Sequence, residues 1–414
     1  MISFFCSRWR LLRAVLVIWV VGSLLASYIF LKTRPSYDLY NTLTRTELES
    51  SQKWLQVHGD KRKFVFFKQL QGAGFNNQVQ EILLYHHLAL SASRTYVYQP
   101  LVWRPRGEKS TVPLSAFLRG PIEGSISEAA FDSVCPPGQV THITLGTVGF
   151  QDLWNHAKNS LSRDDRCIYV DDHILNWRYL ASPAIHDIWP SFNQYLHDHF
   201  AWSNPVLKIV RRTQAKLRLR PGPHSLHGEP YMALHFRRGD FEEHCQVLAN
   251  DRMGFTTWST LPLLSDSIQP PALNTANISS VTEHCYPTLE RLLAIIDAQA
   301  IARPHLRTLH VLHDGTWDHP LVYWQKLQLE RALRDTSRAR AAGWPENKPL
   351  AIRVVHSGML QLAWGEGDMA VAADVEIARR ADVFIGNGYS SLSSQIAALR
   401  LGADAGRKED IVFM

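Results

Sequence analysis

The strongest constraint on the fold is a recurring unit: a short apolar run, a turn rich in glycine or in basic and hydroxyl residues, then apolar residues at helical spacing. Its first copy begins with Phe64-Val65-Phe66-Phe67 and turns through Gln71-Gly72-Ala73-Gly74-Phe75-Asn76-Asn77-Gln78. It continues with Val79, Ile82, Leu83 and Leu90 on one helical face and closes on Thr95-Tyr96-Val97-Tyr98 before Pro100. Continuous apolar runs this short read as strands buried on both faces, and strands alternating with helices build parallel sheets. The second half repeats the pattern. Strands are expected at 231–236, 308–312, 351–355 and just before Gly386, with helices at 289–301, 321–334, 371–379 and 392–401. The fold class is therefore α/β, built from Rossmann-like halves.

A length of 414 residues suits two such halves. The clearest linker is Arg220-Pro221-Gly222-Pro223-His224-Ser225, which divides a domain at 63–225 from one at 226–414. Between 101 and 225 no pattern is legible: Pro113, Pro121 and Pro136-Pro137-Gly138 punctuate it, and Trp177, Trp189 and Trp202 are expected to pack in the interior. Residues 250–280, with Pro262, Pro270 and Pro271, read as an irregular insertion.

The amino-terminal segment is of another kind. Arg8, Arg10 and Arg13 precede an uncharged, mostly apolar run at 14–31, and Lys32 and Arg34 follow it. Eighteen residues rising ~1.5 Å each approach the hydrocarbon thickness of a bilayer. A cleaved signal peptide would have a shorter core and a small-residue exit, whereas here Tyr28, Ile29, Phe30 and Leu31 occupy the exit. The expected layout is a cytosolic tail at 1–13, an uncleaved transmembrane signal anchor at 14–31 and a stem at 32–62. The arginine bias then makes it a single-pass type II protein, its body in the lumen of the Golgi or endoplasmic reticulum. The sequon Asn277-Ile278-Ser279 agrees with that placement. So do four cysteines beyond Cys6: Cys135, Cys167, Cys245 and Cys285, which allow three pairings, 135–167 with 245–285 being the sequence-local one.

Charge excludes little. The net charge of +6 is mild and the basic residues are scattered, so nucleic acid is not an expected partner. No Cys-x-x-Cys spacing suggests a structural zinc.

Three stretches carry chemistry. In Gly72–Gln78 the glycines let backbone N–H groups approach an anion or a sugar, although a tight turn alone would use them too. Asn77 stands where a dinucleotide loop has its third glycine, and the Gly-Lys-Ser/Thr of a P-loop is missing. Tyr231–Phe241 is a strand running into His235, Arg237, Arg238 and Asp240; an arginine fork matches phosphate oxygens, while a surface loop would pair its arginines with acids. The last stretch leads through Gly386-Asn387-Gly388 to Ser390, Ser391, Ser393 and Ser394 at a helix start, more serines than capping requires and suited to a diphosphate.

In this order and spacing the three stretches resemble the motifs of the GDP-fucose protein O-fucosyltransferase family and its α1,6-fucosyltransferase relatives, over about 64–400. The resemblance implies a GT-B-like fold, with an acceptor-side first domain and a donor-binding second. It implies inverting transfer of fucose from GDP-fucose to a hydroxyl of a protein Ser/Thr or a glycan, with no required metal or other cofactor. The lack of a strict Asp-x-Asp agrees. Carried over, Arg237 is catalytic, meeting the charge on the departing β-phosphate. His235 lies against the nucleoside, Asp382 accepts from the guanine edge, Ser390 and Ser391 hold phosphates, and Gly74, Phe75, Asn76 and Asn77 line the donor cleft. Arg238 is a support, paired with Asp240. Where some relatives carry a Glu base, this chain has Ala73, so no base is identified. Two competing readings remain: a Golgi sulfotransferase, which would need a basic residue in 72–78, and a catalytically degenerate relative acting as a glycan- or protein-binding module.

Overall fold

Twelve strands occur among the described residues of this computed structural model, which are all but 1, 34, 71, 103–109, 223–224, 240, 314–319 and 403–406. The first half contributes β1 (Phe64–Phe67), β2 (Thr95–Tyr98), β3 (Leu101–Val102), β4 (Thr111–Val112), β5 (Ile126–Ser127), β6 (Val140–Ile143) and β7 (Cys167–Val170). The second contributes β8 (Met232–Phe236), β9 (Thr308–His313), β10 (Arg353–His356), β11 (Val383–Gly386) and β12 (Ile411–Phe413).

Ten of these form two five-stranded sheets, ordered β5-β2-β1-β7-β6 and β10-β9-β8-β11-β12. Every pairing within them is parallel. In each sheet the chain starts at the centre, winds to one edge, and then fills the other side of its first strand. The switch points thus lie between β1 and β7 and between β8 and β11, where the loops leaving the carboxyl ends diverge and leave a crevice for ligand. All residues of β1, β8 and β11 are buried, as their uninterrupted apolar runs demand. This is the GT-B-like α/β architecture expected.

The halves are joined by more than a linker. Helices Trp189–His199 and Asn204–Leu217 precede the second sheet in sequence but pack on its helices Ser391–Gly402 and Ala370–Arg379. The Trp202 indole donates to Glu376 Oε2 at 3.0 Å within that junction. Trp189 and Trp202 are buried as expected, but Trp177 is 60% exposed. It opens a four-residue surface helix, too short to bury a face, and the Arg178 guanidinium covers its ring at 5.4 Å.

Residues 37–58 depart from the expected stem. They form a helix docked on the body, with Tyr40, Glu47 and Ser51 buried. Glu47 Oε1 accepts from Ser115 N at 2.7 Å and Ser51 Oγ from Ser127 N at 2.9 Å, while the Tyr40 hydroxyl donates to Asp368 Oδ2 at 3.0 Å. The buried face mixes Glu47 and Ser51 with Tyr40 and the partly buried Leu39, Leu43, Trp54 and Leu55, and its polar members interrupt the hydrophobic periodicity. Before it, helix Ile2–Thr33 holds the window Leu12–Ile29, of mean hydropathy 2.0 and with no burial against the body. It is the one helix among the described residues long and apolar enough to cross a membrane. Disulfides join Cys135 to Cys167 and Cys245 to Cys285, the sequence-local pairing.

Candidate active site

At the second sheet's switch point, the loops leaving β8 and β11 are bolted together. Asn387 follows β11 and is fully buried. Its N–H donates to Ser393 Oγ at 2.9 Å, and its side-chain amide donates to the Cys285 carbonyl at 2.6 Å. The same Ser393 hydroxyl lies 2.8 Å from His235 Nδ1, at the end of β8. Burial, with the Arg237 charge adding to it, pushes the His235 imidazole down to about 3, so it is neutral at physiological pH. Ser394 Oγ accepts from Trp258 N at 2.8 Å. Two of the four serines therefore hold the backbone together, leaving Ser390 and Ser391 at the head of helix Ser391–Gly402. Gly388 is needed for packing: a Cβ there would come within 2.5 Å of the Phe255 ring.

Arg237 and Arg238 have opposite fates. Arg237 is half-buried, its guanidinium 5.0 Å from the Phe241 ring centre, one residue beyond the end of β8. Arg238 turns inward and is 3% exposed. It lies 4.5 Å over Phe236 and 4.3 Å over Tyr286, and donates to the Pro287 carbonyl at 2.6 Å. Aromatic faces and a carbonyl thus hold Arg238; its expected partner Asp240 lies outside the described residues, as do Gln71, Pro223 and His224 of the expected motifs. Burial pushes the Arg238 guanidinium down to about 10, still charged at neutral pH.

The glycine-rich loop leaves β1 at the first sheet's switch point. Gly72 has φ +74°, a left-handed conformation natural to glycine. The Gln78 side chain staples the loop, donating to Ala73 O at 2.7 Å and to Val102 O at 3.1 Å while accepting from Val102 N at 3.1 Å. Gly74 precedes helix Phe75–Ser91, whose first turn exposes Asn77 and buries Asn76. Beside the loop, a pocket is lined by Gln69, Gln99, Pro100, Val102, Thr111 and Glu128. One turn into that helix Gln80 Nε2 donates to the Ser391 carbonyl at 2.8 Å, bringing the two helix starts together. Next to it Glu81, 1% exposed, bonds His173 and accepts from Leu70 N in the loop at 2.8 Å. Burial pushes the Glu81 carboxyl up, against the pull of the His173 contact.

The structure places Arg237 directly after β8, Ser390 and Ser391 at the head of the helix after β11, with His235 bonded to Ser393 between them, and Gly74, Asn76 and Asn77 at the start of the helix after β1. It does not place Asp382 beside them. Asp382 precedes β11, four residues and ~13 Å from Gly386, at the opposite end of the strand. Its oxygens are taken by Arg220 Nη1 at 3.1 Å and Tyr231 N at 2.9 Å, so it locks the strand starts rather than reading a base. Phe75 also turns away from any cleft: it is 3% exposed, packed on Phe117 and Trp202. Sequence reading missed Gln80, Glu81 and His173. His173 sits in the unparsed region, and the two helix residues belong to no motif in the sequence. Among the described residues no group of three or more His, Cys, Asp or Glu is placed to hold a metal ion.

No family model matches the chain, and no curated protein matches it by sequence. Solved structures do. A crystal structure of POFUT1 in complex with GDP-fucose superposes with a TM-score of 0.52 at 13% identity, covering 85% of this chain and 97% of that one. A POFUT1 complex with GDP gives 0.51 at 14% identity, with the same coverage. At such identity the likeness is one of fold, and it runs through both sheets: the chain is folded as POFUT1 is.

Proposed function

We propose that the chain is a GDP-fucose-dependent fucosyltransferase, moving fucose with inversion to a hydroxyl of a protein or glycan, without a metal. The observation that carries this reading is Arg237 at the end of β8, across the switch point from the serine-headed helix that follows β11. A half-buried guanidinium after one strand, with hydroxyls and a helix N-terminus after the neighbouring strand, suits a diphosphate. In this reading Arg237 stabilises the charge that develops on the β-phosphate as the C1–oxygen bond of the sugar breaks. Ser390 and Ser391 hold the phosphates, and neutral His235, fixed by Ser393, shapes the nucleoside side. The POFUT1 structures with GDP-fucose and GDP support the choice of donor. Gly74, Asn76 and Asn77 of the glycine-rich loop line the donor cleft from the first half, and the pocket beside that loop lies on the acceptor side. The apolar helix anchors the body in a secretory membrane, and the two disulfides suit an oxidising lumen.

The test uses the full chain in detergent with EDTA present. Calorimetry should show GDP binding in preference to ADP, UDP and adenosine phosphosulfate, and GDP-fucose should be turned over. Absence of GDP binding sinks the reading; binding without turnover leaves a binding module.

A further inference from the structure

The first sheet's switch point holds a titratable pair with no part in the reading above. The loops leaving β1 and β7 diverge there, and His173, three residues beyond β7, bonds Glu81 Oε1 through Nε2. The other carboxylate oxygen accepts from Leu70 N at 2.8 Å, so one buried acid ties the imidazole to the loop that carries the glycine motif. Asp172 fixes the β7 loop from its other side, accepting from Leu145 N at 2.9 Å and Gly146 N at 2.6 Å. The Glu81 side chain is 1% exposed, whereas that of His173 keeps 23% of its surface: the acid sits behind and the imidazole in front. His173 Nδ1 has no hydrogen-bond partner among the described residues. With Nε2–H given to the carboxylate, Nδ1 carries the lone pair. A base held in one tautomer by a buried acid is an arrangement that accepts protons from hydroxyls. Glu81 stands one residue beyond Gln80, whose side chain joins this helix to the Ser391 carbonyl of the second half.

We propose that His173 is the general base of the transfer and that Glu81 is its positioning residue, an inference that rests on the fucosyl-transfer reading. His173 Nδ1 takes the hydroxyl proton as the acceptor oxygen forms its bond to C1 of fucose. The C1–oxygen bond to the β-phosphate breaks and its electron pair leaves with GDP. The imidazolium, balanced by Glu81, then returns the proton to solvent.

The experiment measures GDP affinity and release of fucose from GDP-fucose, with water as acceptor, on the full chain in detergent. His173→Gln can still donate an amide hydrogen to Glu81 but has no basic nitrogen, so a purely structural role predicts a normal rate. The base role predicts a kcat on the order of 10²-fold lower or less, with GDP affinity within about twofold. In His173→Ala, added imidazole should restore part of the rate, and Glu81→Gln should lower kcat without moving KM. A wild-type chain that neither binds GDP nor releases fucose overturns the fucosyl-transfer reading itself. A wild type that turns over, with His173→Gln at full kcat or His173→Ala unmoved by imidazole, overturns only the assignment of the base.

Discussion

The side-chain amide of Gln80 reaches across from the first half of the chain and donates to the backbone carbonyl of Ser391, 2.8 Å away. That bond joins the helix after the glycine-rich loop to the helix whose serines head the second crevice. A part-buried bond of this kind contributes about 1 kcal/mol net, so Gln80→Ala should cost little global stability. Its effect should fall on alignment: a few-fold loss in GDP affinity by calorimetry, with the urea midpoint nearly unchanged. Unchanged GDP affinity in a folded Gln80→Ala chain would show that the link does not set the donor site.

Arg237→Ala should lower GDP-fucose turnover on the order of 10²–10³-fold, the usual cost of removing one donor to transition-state charge. Because Arg237 is only half-buried, the thermal midpoint should move little. Arg237→Lys keeps the charge but loses the planar fork and should recover only part of the rate. Initial rates with labelled GDP-fucose decide this, and near-normal turnover in Arg237→Ala removes it from the chemistry.

Arg238→Ala should instead be a folding defect. The side chain fills the space between Phe236 and Tyr286 and supplies the Pro287 carbonyl with a donor. Losing that packing and leaving a buried acceptor unpaired should cost about 2–4 kcal/mol, read as a lower urea midpoint with unchanged slope.

Adjacent arginines with such different roles show where sequence reading stops. Strand–turn–helix alternation was legible because buried parallel strands must be apolar throughout; β1, β2 and β8 to β11 follow from it, whereas β5, β6 and β7 lie in the unparsed stretch 101–225. Glycine, arginine and serine clusters marked the loops leaving β1, β8 and β11, although Arg238, Gly388, Ser393 and Ser394 serve packing and backbone bonding there. What periodicity could not reveal is which way a side chain turns. Arg238 and Phe75 go inward, and Asp382 stands at the strand's start, where its motif neighbours do not reach. His173 and Glu81 lie 92 residues apart, and only the β1–β7 pairing makes them neighbours.

Acid should destabilise the fold before carboxylates titrate. Burial, the leading cause in each case, pushes His86 and His235 down to about 3 and His87 to about 4. Folded, these groups stay neutral, while in the unfolded chain they take up protons near ~6.5. Their stabilising contribution is therefore present above that value and is lost as pH falls towards the folded values. Each should forfeit about 2 kcal/mol between pH 7 and 5. Glu47 and Glu81, pushed up by burial, act with the opposite sign between their raised folded values and the ordinary carboxylate range, and so offset part of that loss. Urea midpoints should drop steeply over that interval, and a flat profile contradicts the buried, neutral histidines.

The helix Tyr37–His58 makes the start point of a soluble fragment a structural matter. A fragment beginning at 35 keeps the Tyr40–Asp368 bond and the contacts of Glu47 and Ser51 with the first half. One beginning at 63 strips them away. It uncovers the β5 edge and leaves Ser115 N and Ser127 N without their acceptors, each unpaired donor costing about 1–3 kcal/mol where water cannot replace it. The shorter fragment should therefore melt well below the longer one and aggregate on concentration, as seen by scanning calorimetry and light scattering. Tyr40→Phe in the longer fragment isolates one contact and should lower stability by about 1 kcal/mol. Equal melting of the two fragments would mean that this helix is the free stem its polar composition suggests.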